Sequence, residues 1–429
     1  MDFSDKTVSL IGYGVSNRAL LTYLLDKGIV PLVRCKEECP LPKGVRGIFS
    51  PDYYLATEDV VFRSPGVRPD KIKTCGTVLT EASFALSLAK CHKIGITGSD
   101  GKTTTSTLVY QILKEHGKMA LLGGNIGNAL VSLLPYLSPE SFLVSELSSF
   151  QLIDMTPSLD VAIITNVSEN HLDWHTSLLE YTLAKGNILK HASRAVLPYE
   201  HLRSLYSADT VTYFSLSDLS SMTFLDSAVY LRNGYIYYNS EPIIAKDEVK
   251  LRGDFNLLNL MAAIGATYPF VSREAICKVS REFSFVPSRM ETLDTVNGVT
   301  FVSSPIDTTP TRTVSTLSAF ENEKTVLILG GYDKNLSYAP LKNATRGMRA
   351  IVITGQNREK IYESVFGSCD TILFAENLEG ATHLAYKCAK QGDTVLLSPA
   401  SASFDAFKNY KEKGAVYLSA VKEIKNEQG

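Results

Sequence analysis

The sequence predicts an α/β protein of three domains, and three observations carry that prediction. The chain has 429 residues, beyond the size at which one hydrophobic core usually stops growing. Short β-rich runs alternate with helical stretches, the order that builds parallel sheets. The alternation starts afresh twice, which divides the chain into residues 1–90, 91–286 and 287–429.

In the first segment, residues 7–11 read as a strand, 18–27 as an amphipathic helix and 31–34 as the next strand, with further strands at 59–62 and 77–79 and a closing helix at 81–90. The second segment opens with a strand at 93–97, a glycine-containing loop and a helix to about residue 115, then strands at 142–146 and 161–166. Residues 211–250, dense in Tyr, Ser and β-branched types, predict antiparallel strands, and 256–268 and 273–283 predict helices. The last segment alternates again, with strands at 325–329, 350–354, 371–374 and 394–397; the charged tail after residue 420 is expected to fray.

Composition narrows the function classes. With 45% hydrophobic, 21% charged and 9% aromatic residues the chain matches a soluble globular protein. A formal charge of -2 provides no positive field for nucleic acid or an acidic membrane surface, so neither is an expected partner. The seven cysteines (35, 39, 75, 91, 277, 369 and 388) are scattered without a CxxC pair, which suggests reduced cytosolic thiols rather than a disulfide framework or a zinc ribbon. The start, MDFSDKTVSLIGYG, lacks the basic opening and long apolar run of a secretory peptide, and no apolar run approaches a membrane span. A cytoplasmic protein is expected.

The run GITGSDGKTTT places Gly98, Ser99, Asp100, Gly101, Lys102, Thr103 and Thr104 between a β-rich run and a helix. There, backbone N–H groups and the helix dipole hold polyphosphate. Lys102 would reach the β- and γ-phosphates of ATP and the Thr103 hydroxyl would bind Mg²⁺. The strict motif has four residues between its glycines, whereas Gly98 and Gly101 are separated by two. Glu146 closes an apolar run in FLVSELSSFQL, where a carboxylate is costly unless it is paired. Beside a phosphate loop Mg²⁺ is its natural partner; a strand-end carboxylate bonded to Ser148 or Ser149 is the bland alternative.

Two other patterns are weaker. GYGVSN follows a strand and opens a helix, like a dinucleotide turn, but Asn17 takes the third glycine position and Arg34 and Cys35 stand where an acid should close the next strand. That leaves either a tight turn or a nucleotide-diphosphate site without nicotinamide. In NVSENHLDWH, His171 and His175 stand four apart with Asp173 between them, a spacing compatible with zinc, although nothing else completes such a site.

Taken in order, TGSDGKTTT, GGNIG, SELSSFQL, NVSENHLDWH, AKGNILK, FVPSRME, LGGYDKN and SPASASFDAFKNY make a chain that resembles the Mur ligase family across all three domains. SELSSFQL and SPASASFDAFKNY are similar to its D-glutamate-adding members in particular. The resemblance implies a Rossmann-like UDP-binding domain, a central P-loop ATPase-like domain, and a C-terminal Rossmann-like domain that binds the amino acid and completes the ATP site. It implies an ATP- and Mg²⁺-dependent ligase joining D-glutamate to UDP-N-acetylmuramoyl-L-alanine through an acyl phosphate, in peptidoglycan precursor synthesis. The substrates are small molecules, the three domains are expected to close on them, and a monomer is expected.

By position the resemblance makes Lys102 the phosphate lysine, Thr103 and Glu146 the ligands of one Mg²⁺, and His171 a ligand of a second. Lys185, in YTLAKGN, matches a lysine that the family carbamylates. Asn125 matches a muramoyl contact, and Ser16 with Ser64 to Gly66 the uracil and diphosphate site. Asn256 and Asn259 match adenine-side asparagines and Arg289 an ATP-contacting arginine. Thr308, Lys334, Ser403, Phe404 and Tyr410 fall where D-glutamate binds.

The chain departs from the pattern at SSPIDTTP, where Ser304 stands at the position of an ATP-contacting acid and Asp307 lies three residues on. It also has Tyr410 at an aromatic contact, and GGYDK sets Asp333 one residue from the usual acid. The rivals are a ligase of the same fold that adds L-alanine, lysine or diaminopimelate, a folylpolyglutamate synthetase, and a nucleotide-binding regulator without turnover. A nicotinamide dehydrogenase is opposed by Asn17 and Cys35.

Overall fold

The computed structural model describes all residues except 1, 2, 4, 172, 173, 203–205, 207, 224, 284–287, 335 and 429. Asp173 and the junction expected at 286/287 lie outside the described residues. Three sheets organise the rest, of five, nine and six strands.

The first sheet contains β1 (Val8–Ile11), β2 (Leu32–Cys35), β3 (Gly47–Phe49), β4 (Val60–Arg63) and β5 (Thr77–Leu79), in the order β3-β2-β1-β4-β5. All its pairings are parallel. The helices α1 (Val15–Asp26) and α2 (Glu81–Leu88) belong to it. Every residue of β1 and β4 is buried, the condition of parallel strands covered on both faces.

The second sheet holds β6 (His92–Thr97), β7 (Ala120–Gly124), β8 (Phe142–Glu146), β9 (Ser158–Ile164), β10 (His191–Pro198), β11 (Val211–Ser215), β12 (Ser227–Arg232), β13 (Tyr235–Tyr238) and β14 (Glu241–Ala245). Its order is β14-β13-β12-β11-β10-β9-β6-β8-β7. The expectation of an antiparallel run over 211–250 needs correction, because β11 pairs parallel with both β10 and β12 and only β12 to β14 are antiparallel. The connections explain this. Asn233 and Gly234 join β12 to β13 with φ of 48° and 76°, a two-residue turn that reverses the chain. The connection from β11 to β12, residues 216–226, is long enough to cross over.

In the third sheet, β15 (Glu291–Val296), β16 (Val299–Ser303), β17 (Thr325–Leu329), β18 (Ala350–Ile353), β19 (Ile372–Phe374) and β20 (Thr394–Leu397) take the order β15-β16-β20-β17-β18-β19. Only β15 is antiparallel to its neighbour. The tail does not fray as expected: the helix Tyr410–Gln428 runs almost to the end and buries Val421 and Ile424. These apolar positions three apart give it a face to dock.

Two compact units result, residues 1–250 with 256–283, and 251–255 with 284–429. In the first, one apolar cluster runs from Leu10, Leu20 and Phe62 through Leu130 and Leu143 to Leu197, so the first two sheets share a core. Arg63, fully buried at the end of β4, pairs with Asp154 and donates to the Phe150 carbonyl at 2.7 Å and the Val67 carbonyl at 3.1 Å. A buried guanidinium needs that many acceptors, and these ones tie the first sheet to the segment after β8.

Candidate active site

The phosphate loop lies between β6 and α3 (Lys102–Glu115). Gly98 and Gly101 have φ of 150° and 78°, outside the range L side chains favour. Space forbids a side chain as well. A Cβ on Gly98 would come 1.9 Å from Thr165 Oγ1, and one on Gly101 2.1 Å from Asn259 Oδ1. Asn166 accepts from the Asp100 N–H and donates to its carbonyl, both at 3.0 Å. The Ser99 hydroxyl contacts Tyr181 OH at 2.8 Å. Lys102 folds back to donate to the Gly98 and Ser99 carbonyls at 2.8 Å. A helix N-terminus of 14 residues, a braced glycine loop and an ammonium at its mouth make a seat for a polyphosphate. Thr104 lies deeper, buried in α3.

Glu146, 2% exposed at the end of β8, accepts from the Thr103 hydroxyl at 2.8 Å and from Asn125 Nδ2 at 2.9 Å. Ser148 and Ser149 are engaged elsewhere. Ser148 caps the short helix α4 (Ser149–Leu152) by accepting from the Gln151 N–H, and Ser149 meets His175 Nε2 at 2.9 Å. A hydroxyl and a carboxylate beside the loop are hard oxygen donors, which fit Mg²⁺. Among the described residues no group of three or more His, Cys, Asp or Glu is gathered to hold a metal. Such a sparse set suits an ion that keeps waters and phosphate oxygens in its shell.

Lys185 sits in α5 (Leu178–Gly186), 1% exposed, donating to the Gly98 carbonyl at 2.7 Å with its Nζ 4.4 Å from the centre of the Tyr181 ring. Burial pushes its ammonium well below the ordinary lysine range, and the charge on Lys102 pushes the same way. His171 is exposed, with φ of 54° and its ring edge-on to Phe150 at 4.9 Å. His175 has a different place. It is buried between Ser149 and Glu180, burial holds its imidazole below the usual range, and Arg68 with its neighbours holds Glu180 down at about 2. The two histidines therefore do not form a zinc pair. Asn259 lies under the loop, 3.3 Å from both Thr105 Oγ1 and Asn256 Oδ1, at the start of α7 (Asp254–Thr267); α6 is the single turn Tyr199–Leu202.

At the first sheet, Ser64 packs against the GYG turn, its Oγ 3.0 Å from where a Cβ of Gly14 would be. Asn17 staples the turn by donating to the carbonyls of Ile11, Gly12 and Phe62 at 2.8 to 3.2 Å. Arg34 turns inward to Glu58 at 2.8 Å. A cavity of about 330 Å³ opens at these strand ends between Gly12, Tyr13, Cys35, Lys36, Cys39 and Tyr53. Ser16 lies in the first turn of α1, and the Gly66 carbonyl accepts from Trp174 Nε1 at 2.9 Å.

The second unit carries the remaining residues. Phe404, 66% exposed, meets Tyr332 edge-on at 6.4 Å, and the Tyr332 N–H donates to the Ala402 carbonyl at 2.9 Å. This brings the GGYDK loop with exposed Lys334 beside the segment of Ser403, whose buried hydroxyl has no hydrogen-bond partner among the described residues. Thr308 follows buried Asp307, and Arg289 contributes its charge to that carboxylate. Tyr410 opens the C-terminal helix.

Family models of the Mur ligase middle domain and of the Mur ligase glutamate ligase domain match residues 96–267 and 288–401. UDP-N-acetylmuramoylalanine--D-glutamate ligase of Ruminiclostridium cellulolyticum is 34% identical over 99% of this chain and 98% of its own length. The enzyme of the same name from Acetivibrio thermocellus is 36% identical over 98% and 97%. The chain belongs to the Mur ligase family. In fold it is similar to the UDP-N-acetylmuramate-alanine ligase MurC of Thermotoga maritima, with a TM-score of 0.64 at 18% identity over 98% of this chain and 100% of that one. The MurF ligase of the same organism, solved with ADP, gives a TM-score of 0.60 at 19% identity over 98% and 94%.

Several residues of this Mur ligase support the site without belonging to a motif that points to it. Thr165, Asn166 and Tyr181 brace the phosphate loop, and of these only Asn166 lies in a motif, at the start of NVSENH. Lys413 is 3% exposed and donates to the Gly330 carbonyl at 2.9 Å; burial pushes its ammonium down to about 8. Nothing local marks it, because its acceptor lies 83 residues away.

Proposed function

We propose that this Mur ligase spends ATP to join D-glutamate to UDP-N-acetylmuramoyl-L-alanine, releasing ADP and phosphate, in peptidoglycan precursor synthesis. The observation that carries the reading is the Thr103 to Glu146 contact at the mouth of a glycine loop that also holds Lys102 and Lys185. It supports phosphoryl transfer to a substrate carboxylate, and the names of the relatives supply the two substrates.

A carboxylate repels nucleophiles and its oxygen leaves poorly, so it must first be activated. Its oxygen attacks the γ-phosphorus, ADP departs, and an acyl phosphate remains. The D-glutamate amine then adds to the carbonyl carbon, loses a proton, and the tetrahedral intermediate expels phosphate. Lys102 and the N–H groups of the loop hold the β- and γ-phosphates and offset the charge that develops on them. Thr103 and Glu146 would hold Mg²⁺, which supplies charge neutralisation between the phosphates when bound. His171 and a carbamylated Lys185 would hold a second ion. The lowered ammonium of Lys185 favours that modification, because only a neutral amine adds to CO₂.

Within the reading, Ser16, Ser64 and Gly66 in residues 1–90 serve UDP, and Asn125 serves the muramoyl group. Residues 91–286 serve ATP with Asn256 and Asn259. Residues 287–429 supply Arg289 to ATP, and Thr308, Lys334, Ser403, Phe404 and Tyr410 to D-glutamate; a lysine with hydroxyl donors suits a dicarboxylate. The enzyme would act as a cytoplasmic monomer, and no helix among the described residues is long and apolar enough to cross a membrane.

The test is phosphate release from ATP with UDP-N-acetylmuramoyl-L-alanine and each of D-glutamate, L-lysine and diaminopimelate. Release should depend on D-glutamate, with the dipeptide product formed in equal amount. Preference for another amino acid would refute the assignment.

A further inference from the structure

Asp307 is 4% exposed, and the groups around its carboxylate come from three separate segments. It lies in the loop after β16. Its Oδ2 accepts from the Thr316 hydroxyl in helix Pro310–Leu317 and from the Ser398 hydroxyl after β20, both at 2.8 Å. Ser398 also contacts Thr313 Oγ1 at 2.9 Å. Burial pushes the Asp307 carboxyl upward, while the hydroxyl donors and the Arg289 charge favour its ionised form. A buried acid is a costly way to fill space, and two hydroxyls that donate to it, one of them itself held by Thr313, show that the space is organised around it.

The segments joined here carry two further hydroxyls, the half-buried Thr308 and the buried Ser403. Thr308 follows Asp307 directly and its N–H closes a tight turn on the Ile306 carbonyl at 2.8 Å. Ser398 opens the stretch that leads to Ser403, and the Gly330 N–H donates to Pro399 at 2.9 Å, as the Tyr332 N–H does to Ala402. Within that stretch Ala400 has φ of 54°, a left-handed conformation that needs support from its surroundings. The strands behind these loops already pair, Ser303 beside Leu397, and Asp307 adds a side-chain tie between the loops that follow them.

We propose that Asp307 is a positioning residue for the amino-acid site: by holding Ser398 and Thr316 it sets the spacing of Thr308 and Ser403, two hydroxyls that receive a carboxylate of the incoming amino acid. This rests on the reading that the second unit binds D-glutamate. Asp307 does not itself touch substrate. Its burial also means that it does not stand in for an ATP-contacting acid at Ser304, whose own hydroxyl is fully buried.

Asp307→Asn keeps the volume but turns one acceptor into a donor facing hydroxyl groups. In steady-state assays of the full-length enzyme its KM for D-glutamate should rise about tenfold, the loss expected of one hydrogen bond to a charged group. The KM values for ATP and for the muramoyl substrate should stay within about twofold and kcat within about threefold. Ser398→Ala should move the same constant in the same direction, and the double variant should resemble Asp307→Asn, because coupled residues are not additive. An unchanged KM for D-glutamate in a folded Asp307→Asn protein, or equal rises in all three KM values, would overturn the proposal. Should that variant not fold, Ser398→Ala and Thr316→Val decide, and an unchanged KM for D-glutamate in both overturns it. A wild-type enzyme that ignores D-glutamate fails the parent reading instead.

Discussion

Lys185 donates a hydrogen bond to the neutral Gly98 carbonyl, with an aromatic face on one side and the Lys102 ammonium near enough to repel it. A buried ammonium is expensive, and burial holds the Lys185 ammonium well below the ordinary lysine range although Asp100 and Glu146 pull it upward. If the neutral amine takes up CO₂ with loss of a proton, as proposed, an uncharged group becomes an anion close to Glu146. If that anion supports metal binding, Lys185→Ala should lose about 100-fold or more in turnover, as the loss of one preorganised charged group typically does. Millimolar amounts of a short carboxylate such as acetate or propionate should then restore part of the rate. Absence of any rescue, with the variant folded, would count against a carbamate. The same reasoning separates the two histidines, whose i, i+4 spacing is alike in the sequence. His175 is fixed between Ser149 and Glu180, and His171 is exposed beside Phe150.

At the scale of elements, contacts between segments distant in the chain decide which groups become functional. Helix α2 shows this through Glu81, 1% exposed at its first turn, which accepts from the Val131 N–H at 2.7 Å and so caps the helical turn Leu130–Tyr136 that follows the Asn125 loop. Burial pushes its carboxyl up to about 7, against the pull of those N–H groups. A carboxyl with a raised value in the folded state costs stability as it ionises. The penalty is absent below the unfolded carboxyl range near 4.3, grows as pH rises, and is complete above about 7. Glu81→Gln, neutral throughout, should therefore be more stable than the wild type at pH 8 by on the order of 1–3 kcal/mol, and unfold at a higher temperature. The difference should shrink by pH 5. Thermal unfolding of both proteins at the two pH values checks it, and a gap that is constant or reversed would contradict the role given to burial.

On the scale of the whole molecule, the candidate residues divide between two compact units, with the phosphate loop in the first and Lys334, Thr308 and Ser403 in the second. Lys334→Ala should therefore raise the KM for D-glutamate at least about tenfold while the affinity for a non-hydrolysable ATP analogue, measured by calorimetry, stays within about twofold. Loss of both affinities together would deny the division of labour. Much of this plan is legible along the chain. The alternation of strands and helices, the strands at 142–146, 325–329 and 394–397, the loop from Gly98 to Thr104 and the acid Glu146 all follow from apolar period and glycine placement. These are local signals, settled by a few neighbouring residues. Tertiary structure alone decided that the first two sheets share one core, that β11 is parallel, that the tail helix docks, and that Asp307 turns inward to Ser398 and Thr316. Each of those outcomes pairs residues far apart in sequence, and such pairings depend on how whole sheets and helices pack rather than on any local pattern.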